Sequence, residues 1–213
     1  VQTCALPIWE RTLVIPVAYA TNRLPAAEEG YGAQSDDRLR LGLAKIQVGD
    51  DPTASWDDLR AISTVAERRA EVPLRLVDVK QYFELPSPFD VAAPPREVLD
   101  LLADLERMVA ESGDPDLMIF VHGANNTFSR SIAQAAQYRH FTGRHSAVLI
   151  FDWPSLAKIW RYNKDVKNAD AAAPLLAALL ELIADHTHIQ KVNLLGYSLG
   201  ALTVSDALDQ LRT

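Results

Sequence analysis

The spacing of apolar positions changes along the chain and divides it into two parts. In the first, "TLVIPVAYA", "LRLGLAKIQV" and "PLRLVDVKQYF" read as strands, separated by polar stretches rich in Gly, Asp and Glu. These three are expected to be neighbours in a sheet. The prolines of "LPSPFDVAAPP" interrupt the pattern. Val98, Leu101, Leu102, Leu105, Met108 and Val109 then recur at i, i+3, i+4 and i+7, which predicts a helix with Pro95 in its first turn and Gly113 at its end. Beyond it the alternation is regular: strand "DLMIFVHG", helix "TFSRSIAQAAQYRHF", strand "SAVLIFDWP", helix "AAAPLLAALLELIADH", strand "KVNLLGYS", helix "LGALTVSDALDQLR". The strands are apolar almost throughout, as expected when helices cover both faces of a parallel sheet. The predicted class is therefore α/β, a mostly parallel sheet with helices on both faces and antiparallel or mixed strands at its N-terminal side.

The opening "VQTCALPI" has neither strand nor helix period and reads as the in-frame translation of a sequencing adapter, so residues 1–8 are set aside as an artefact. Residues 9–213 are expected to form one incomplete domain, with N-terminal strands and loops over 9–90 and a parallel βα core over 91–213. On this reading the single cysteine, Cys4, is not native, which leaves no disulfide framework and no thiolate metal site. The true start is then missing, and bacterial cytoplasm and cell envelope or periplasm both fit. A hydrophobic content of 48% supplies a sizeable core. A net charge of −7 without a basic stripe argues against a nucleic-acid partner. The longest apolar run, from Ala171, is shorter than the roughly 20 residues a bilayer requires and carries Glu181, so no transmembrane segment is expected.

Ligands on such sheets bind at the carboxyl ends of the strands, where "HGANN" and "GYSLG" stand. In the second motif Ser198 lies between Gly196 and Gly200, directly after an apolar strand and directly before a helix. That context is the one a nucleophile elbow needs: a sharp turn lifts the serine above the sheet, and the glycines let strand and helix approach. Ser198 is then the candidate nucleophile, and the Leu199 N–H at the helix start a candidate oxyanion donor. The alternative is a structural βα turn. An oxyanion hole needs a second donor from the loop after an earlier strand. Gly123 lets that backbone turn back, and the Ala124 N–H is the candidate. Equally, Gly123 ends a strand while Asn126 or Thr127 caps the next helix.

The segments "IPVAYATNR", "YG" at 31 and 32, "LRLGLAKI", "IFVHGANNTF", "FDWPS" and "LLGYSLGA" resemble the α/β-hydrolase superfamily, and more closely its bacterial esterase/lipase-like branch of uncharacterised function (domain of unknown function 900). Family patterns similar to them are "P-V-F-Y-A-T-D-R", "F-V-H-G-Y-N" and "A-H-S-M-G". The resemblance extends from Val14 and implies a serine hydrolase of carboxylesters with Ser198 as nucleophile. It also implies a supporting, structural place for His122. Ala124 stands where tyrosine is common and Tyr197 where histidine is common; neither change removes a backbone donor, but each alters pocket shape.

In this fold the acid and the histidine follow the serine along the chain. After Ser198 the sequence offers Asp206 and Asp209 on the helix and no histidine beyond His188. The chain is accordingly expected to be truncated at both ends, with catalytic acid, histidine and C-terminal strands encoded beyond Thr213 and the fragment itself nearly inert. His186 and His188 should lie a strand length from the elbow, about 17 Å. They and His140 and His145 read as solvated loop histidines, not as metal ligands. Asp152, with Trp153 and Pro154, ends a strand on the correct rim, and a packing role is preferred to a pocket-lining one. No metal or organic cofactor is implied, and the expected partner is a small-molecule ester. A non-catalytic α/β-hydrolase-fold binding protein stays open as the alternative. An anion-binding turn at "GYSLG" lacks the Gly-rich fingerprint or P-loop lysine it would require. Substrate preference and oligomeric state are not specified by the sequence.

Overall fold

The computed structural model describes residues 13–27, 30–51, 53–65, 71–156 and 161–211. Six strands form one sheet in the order β3-β2-β1-β5-β4-β6. Its antiparallel part is a meander of β1 (Val14–Ala26), β2 (Gly30–Val48) and β3 (Leu74–Pro86). The parallel part joins β1 to β5 (Ala147–Asp152), β5 to β4 (Asp116–Val121) and β4 to β6 (Lys191–Gly196). The mixed sheet with helices is the expected α/β class. Residues 1–8, read as an artefact, lie outside the described residues.

Side chains alternate between the faces of each strand, and the alternation builds two cores. Ala18, Ala20, Ile119, Val121, Leu149 and Phe151 face α2 (Arg96–Ala110), α4 (Tyr162–His186) and α5 (Leu199–Leu211). Tyr19, Phe120, Val148 and Ile150 pack on the other side against Phe128, Ile132, Ala135 and Ala136 of α3 (Phe128–Phe141). Every residue of β5 is buried, as its unbroken apolar sequence requires. β6 departs from that pattern. Its residues alternate between exposed and half-buried, because it is an edge strand among the described residues and one of its faces has no helix on it. Leu195 is 38% exposed there.

Several boundaries differ from the sequence reading for identifiable reasons. The polar stretch after the first strand is not a loop; β1 and β2 continue through it as a hairpin, paired as far as Ala26 with Gly30, since main-chain bonding does not need apolar side chains. A helix that the hydrophobic spacing did not disclose, α1 (Trp56–Thr64), is set by a capping box in which Ser55 and Asp58 satisfy each other's backbone N–H groups. Pro95 is the N-cap of α2 and not part of its first turn, and the helix ends at Ala110, with Glu111 as C-cap, before Gly113. α4 starts at Tyr162, nine positions before the predicted Ala171. Its first turns are polar in sequence, yet Asp165, Ala169 and Ala172 are buried at helical spacing.

Candidate active site

The strand-to-helix connection at the end of β6 carries Ser198 with φ 53°, in the left-handed region. A non-glycine residue pays about 1–2 kcal/mol to stand there. The surrounding backbone holds the turn: Tyr197 N–H donates to Val121 O at 2.9 Å, Gly200 N–H to Tyr197 O at 2.9 Å, and Ala201 N–H to Ser198 O at 3.0 Å. The two flanking glycines meet a steric demand. A Cβ on Gly200 would lie 2.2 Å from Val121 O and 2.6 Å from His122 O; one on Gly196 would lie 2.6 Å from Ala201 Cα. Both sets of atoms are main chain and cannot swing away, so α5 seats directly on β4 and β6 only because these positions lack side chains. Ser198 is exposed at the tip, and Leu199 opens α5 with a backbone N–H that has no intrahelical acceptor.

The loop after β4 lies against this tip. A Cβ on Gly123 would stand 3.0 Å from Ser198 Cβ and 3.0 Å from Tyr197 O. Gly123 and Ser198, 75 positions apart, are thereby brought into contact, and Ala124 is the next residue of the loop. Asn125 adopts φ 62°, a conformation asparagine tolerates better than most residues, and turns the chain toward α3. Thr127 caps that helix by accepting from Arg130 N–H. The loop is anchored from three directions. Asn126 N–H donates to Ser155 Oγ at 3.2 Å, Asn126 Nδ2 to Gln134 Oε1 at 3.2 Å, and Arg23 Nη2 to Asn126 O at 3.1 Å. Tyr197 is 64% exposed beside Ser198.

Residues 100–213 match the family model described as "Alpha/beta hydrolase of unknown function (DUF900)". The chain belongs to this alpha/beta-hydrolase family. The matched segment contains both rim motifs, whereas the "IPVAYATNR" segment at Val14 and after lies outside it. No curated protein and no solved structure matches the chain.

Beneath the rim of this alpha/beta hydrolase lies a charged cluster that no hydrophobic period announced. Asp152, at the end of β5, is 0% exposed. It accepts from Arg23 Nε at 2.6 Å, Thr21 Oγ1 at 2.9 Å and Ser131 Oγ at 2.5 Å. Burial alone pushes its pKa up, but the Arg23 guanidinium and the hydrogen bonds from His122 and Ser131 outweigh burial and hold the carboxyl well below the usual carboxylate range. Arg23, also fully buried, donates three further N–H groups to the carbonyls of Gly32, Ser155 and Asn126. Asp152 is therefore packing material and not pocket wall. The nearest sequence signal was the "TNR" of the first segment; the 129-residue separation between the partners hid the pairing.

His122 is 0% exposed and stacks on Trp153 with ring centroids 5.0 Å apart. Its Nδ1 is 2.7 Å from Gly123 O, and its Nε2 is 3.0 Å from Trp153 O and 3.1 Å from Asp152 Oδ1. Trp153 Nε1 donates in turn to His122 O at 2.7 Å. Both ring nitrogens are thus occupied below the rim, which leaves no nitrogen for Ser198. His186 Nε2 contacts Val91 O at 2.7 Å, and His188 pairs with Glu106 at 2.8 Å. Both precede β6 and sit at the end of the sheet opposite the elbow. No helix of the described residues is long and apolar enough to cross a membrane.

Proposed function

We propose that this protein is a serine hydrolase of carboxylic esters, working through an acyl-enzyme on Ser198. One observation carries the reading: an exposed serine held at φ 53° between a strand and a helix, with glycines on both sides where no Cβ fits. In the proposed reaction Ser198 Oγ attacks the ester carbonyl carbon, its proton passes to a base, and the negative charge collects on the carbonyl oxygen. Leu199 and Ala124 N–H groups are the proposed donors to that oxygen. Each such donor is typically worth about 10²–10³ in turnover. Collapse of the intermediate breaks the bond to the alcohol, which leaves with the proton. Water then attacks the acyl carbon by the same route and releases the carboxylic acid. Gly196, Gly200, Gly123 and His122 support this geometry without touching substrate.

The base is not one of the described histidines, since each is buried in other contacts or placed away from Ser198. That observation favours a second reading, a non-catalytic binding protein on the same fold. Fluorophosphonate labelling of the complete protein separates the two. Labelling that disappears in Ser198→Ala supports the hydrolase; a complete, folded protein that takes no label overturns it in favour of the binding reading.

A further inference from the structure

The carboxyl-end rim carries a second feature, distinct from the elbow. A cleft of about 470 Å³ opens where Leu24, at the end of β1, faces Leu156, on the segment that leaves β5. Its volume is in the range of small-molecule sites, roughly 300–1,000 Å³. Its polar wall consists of Gln34 and Ser35 from the β2 hairpin and Arg161, Lys164 and Asn168 from the start of α4. Among the described residues, the charged members are both cations. Two carboxylates next to the lining residues are committed elsewhere: Asp36 takes two bonds from Arg40, at 2.8 and 2.7 Å, and Asp165 accepts from Ser155 Oγ and Leu156 N–H, both at 2.9 Å. Among the described residues, neither Arg161 nor Lys164 forms an ion pair. In a chain of net charge −7, such a cleft is a local reversal of the protein's field.

We propose that this cleft binds an anionic group, a carboxylate or a phosphate, at one end of an elongated ligand. Arg161 and Lys164 supply the charge, and the Gln34 amide and the Ser35 hydroxyl supply neutral donors, while Asn168 Nδ2 already donates to Pro154 O at 2.7 Å. β1 and β6 are three strands apart in the sheet, about 14 Å at ~4.8 Å per strand, and both deliver their carboxyl ends to the same rim. A ligand anchored in the cleft can therefore extend along the rim to Ser198. If the hydrolase reading holds, and only this clause rests on it, the substrate is an ester with an acidic group at its far end.

The test is calorimetric titration of the complete protein carrying Ser198→Ala, so that turnover plays no part. The probes are octyl phosphate against octan-1-ol, and octanedioate against its dimethyl ester. Either anion should bind about 2- to 30-fold more tightly than its neutral partner, the order expected of two exposed charge contacts. The preference should vanish in Arg161→Gln/Lys164→Gln; both side chains are exposed, and a thermal melt checks that this variant folds. Preference for octyl phosphate assigns a phosphate headgroup, and preference for octanedioate assigns a carboxylate. Equal affinity for charged and neutral probes, or a preference that survives the double substitution, overturns the proposal. Failure of fluorophosphonate labelling in the wild type sinks the hydrolase reading alone, because this titration does not depend on Ser198.

Discussion

Replacing Asp152 by Asn changes one charge and almost no volume at the point where β1, β4 and β5 meet below the rim. The partners stay in place: Arg23, 1% exposed, keeps its full positive charge and loses its counter-ion, and Thr21 and Ser131 must now share a neutral amide. Removing one member of a buried, hydrogen-bonded pair costs about 3–5 kcal/mol, because the other charge is left without compensation. In a domain of this size each kcal/mol moves the midpoint by about 2–4 °C, so the expected loss is about 6–20 °C. Differential scanning calorimetry at neutral pH measures it. Arg23→Met with Asp152→Asn removes both charges, and the double variant should be less destabilised than the two single effects added together. The acid limb gives an independent check. Asp152 has a pKa lowered by folding, so its contribution is complete above the ordinary carboxylate value near 3.9 and is lost as the pH falls toward the depressed folded value. Asp152→Asn should therefore be separated most from the wild type above about pH 4 and approach it in acid. A midpoint within 2 °C of the wild type at neutral pH, or additive single effects, would refute the claim that this pair anchors the site.

In an ordinary helix Gly200→Ala would gain about 1 kcal/mol, but here the new methyl would meet Val121 O and His122 O at 2.2 and 2.6 Å; the variant should lose about 1–3 kcal/mol in denaturant titration. At Ser198 the left-handed backbone predicts the opposite sign, with Ser198→Gly about 1 kcal/mol more stable than Ser198→Ala by urea unfolding while both are unlabelled by fluorophosphonate. β6 is an edge strand among the described residues, with Leu195 38% exposed, which predicts that these 213 residues self-associate and that Leu195→Lys raises the monomer fraction in sedimentation velocity. An equal monomer fraction in both proteins rules out β6 as the sticky element.

What the sequence determined by itself were the features that are local in the chain. The period-3.6 spacing of Val98 to Val109, the unbroken apolar run before "HG" and the largely apolar residues before "GYS" located α2, β4 and β6, because such patterns pay off within a single element. Ser198 between Gly196 and Gly200 was likewise legible, since an elbow is made by five consecutive residues. Tertiary structure decided what depends on partners far apart in sequence. It turned the polar stretch after β1 into a paired hairpin, and it buried Asp165 under a helix start that looks solvent-facing. It also set Gly123 against Ser198, joined Arg23 to Asp152 across 129 residues, and gathered Arg161 and Lys164 beside Gln34 and Ser35. The physical reason is common to these cases: a hydrogen bond, an ion pair or a steric contact between distant segments leaves no periodic trace in either one, and only the register of the sheet brings its two halves together.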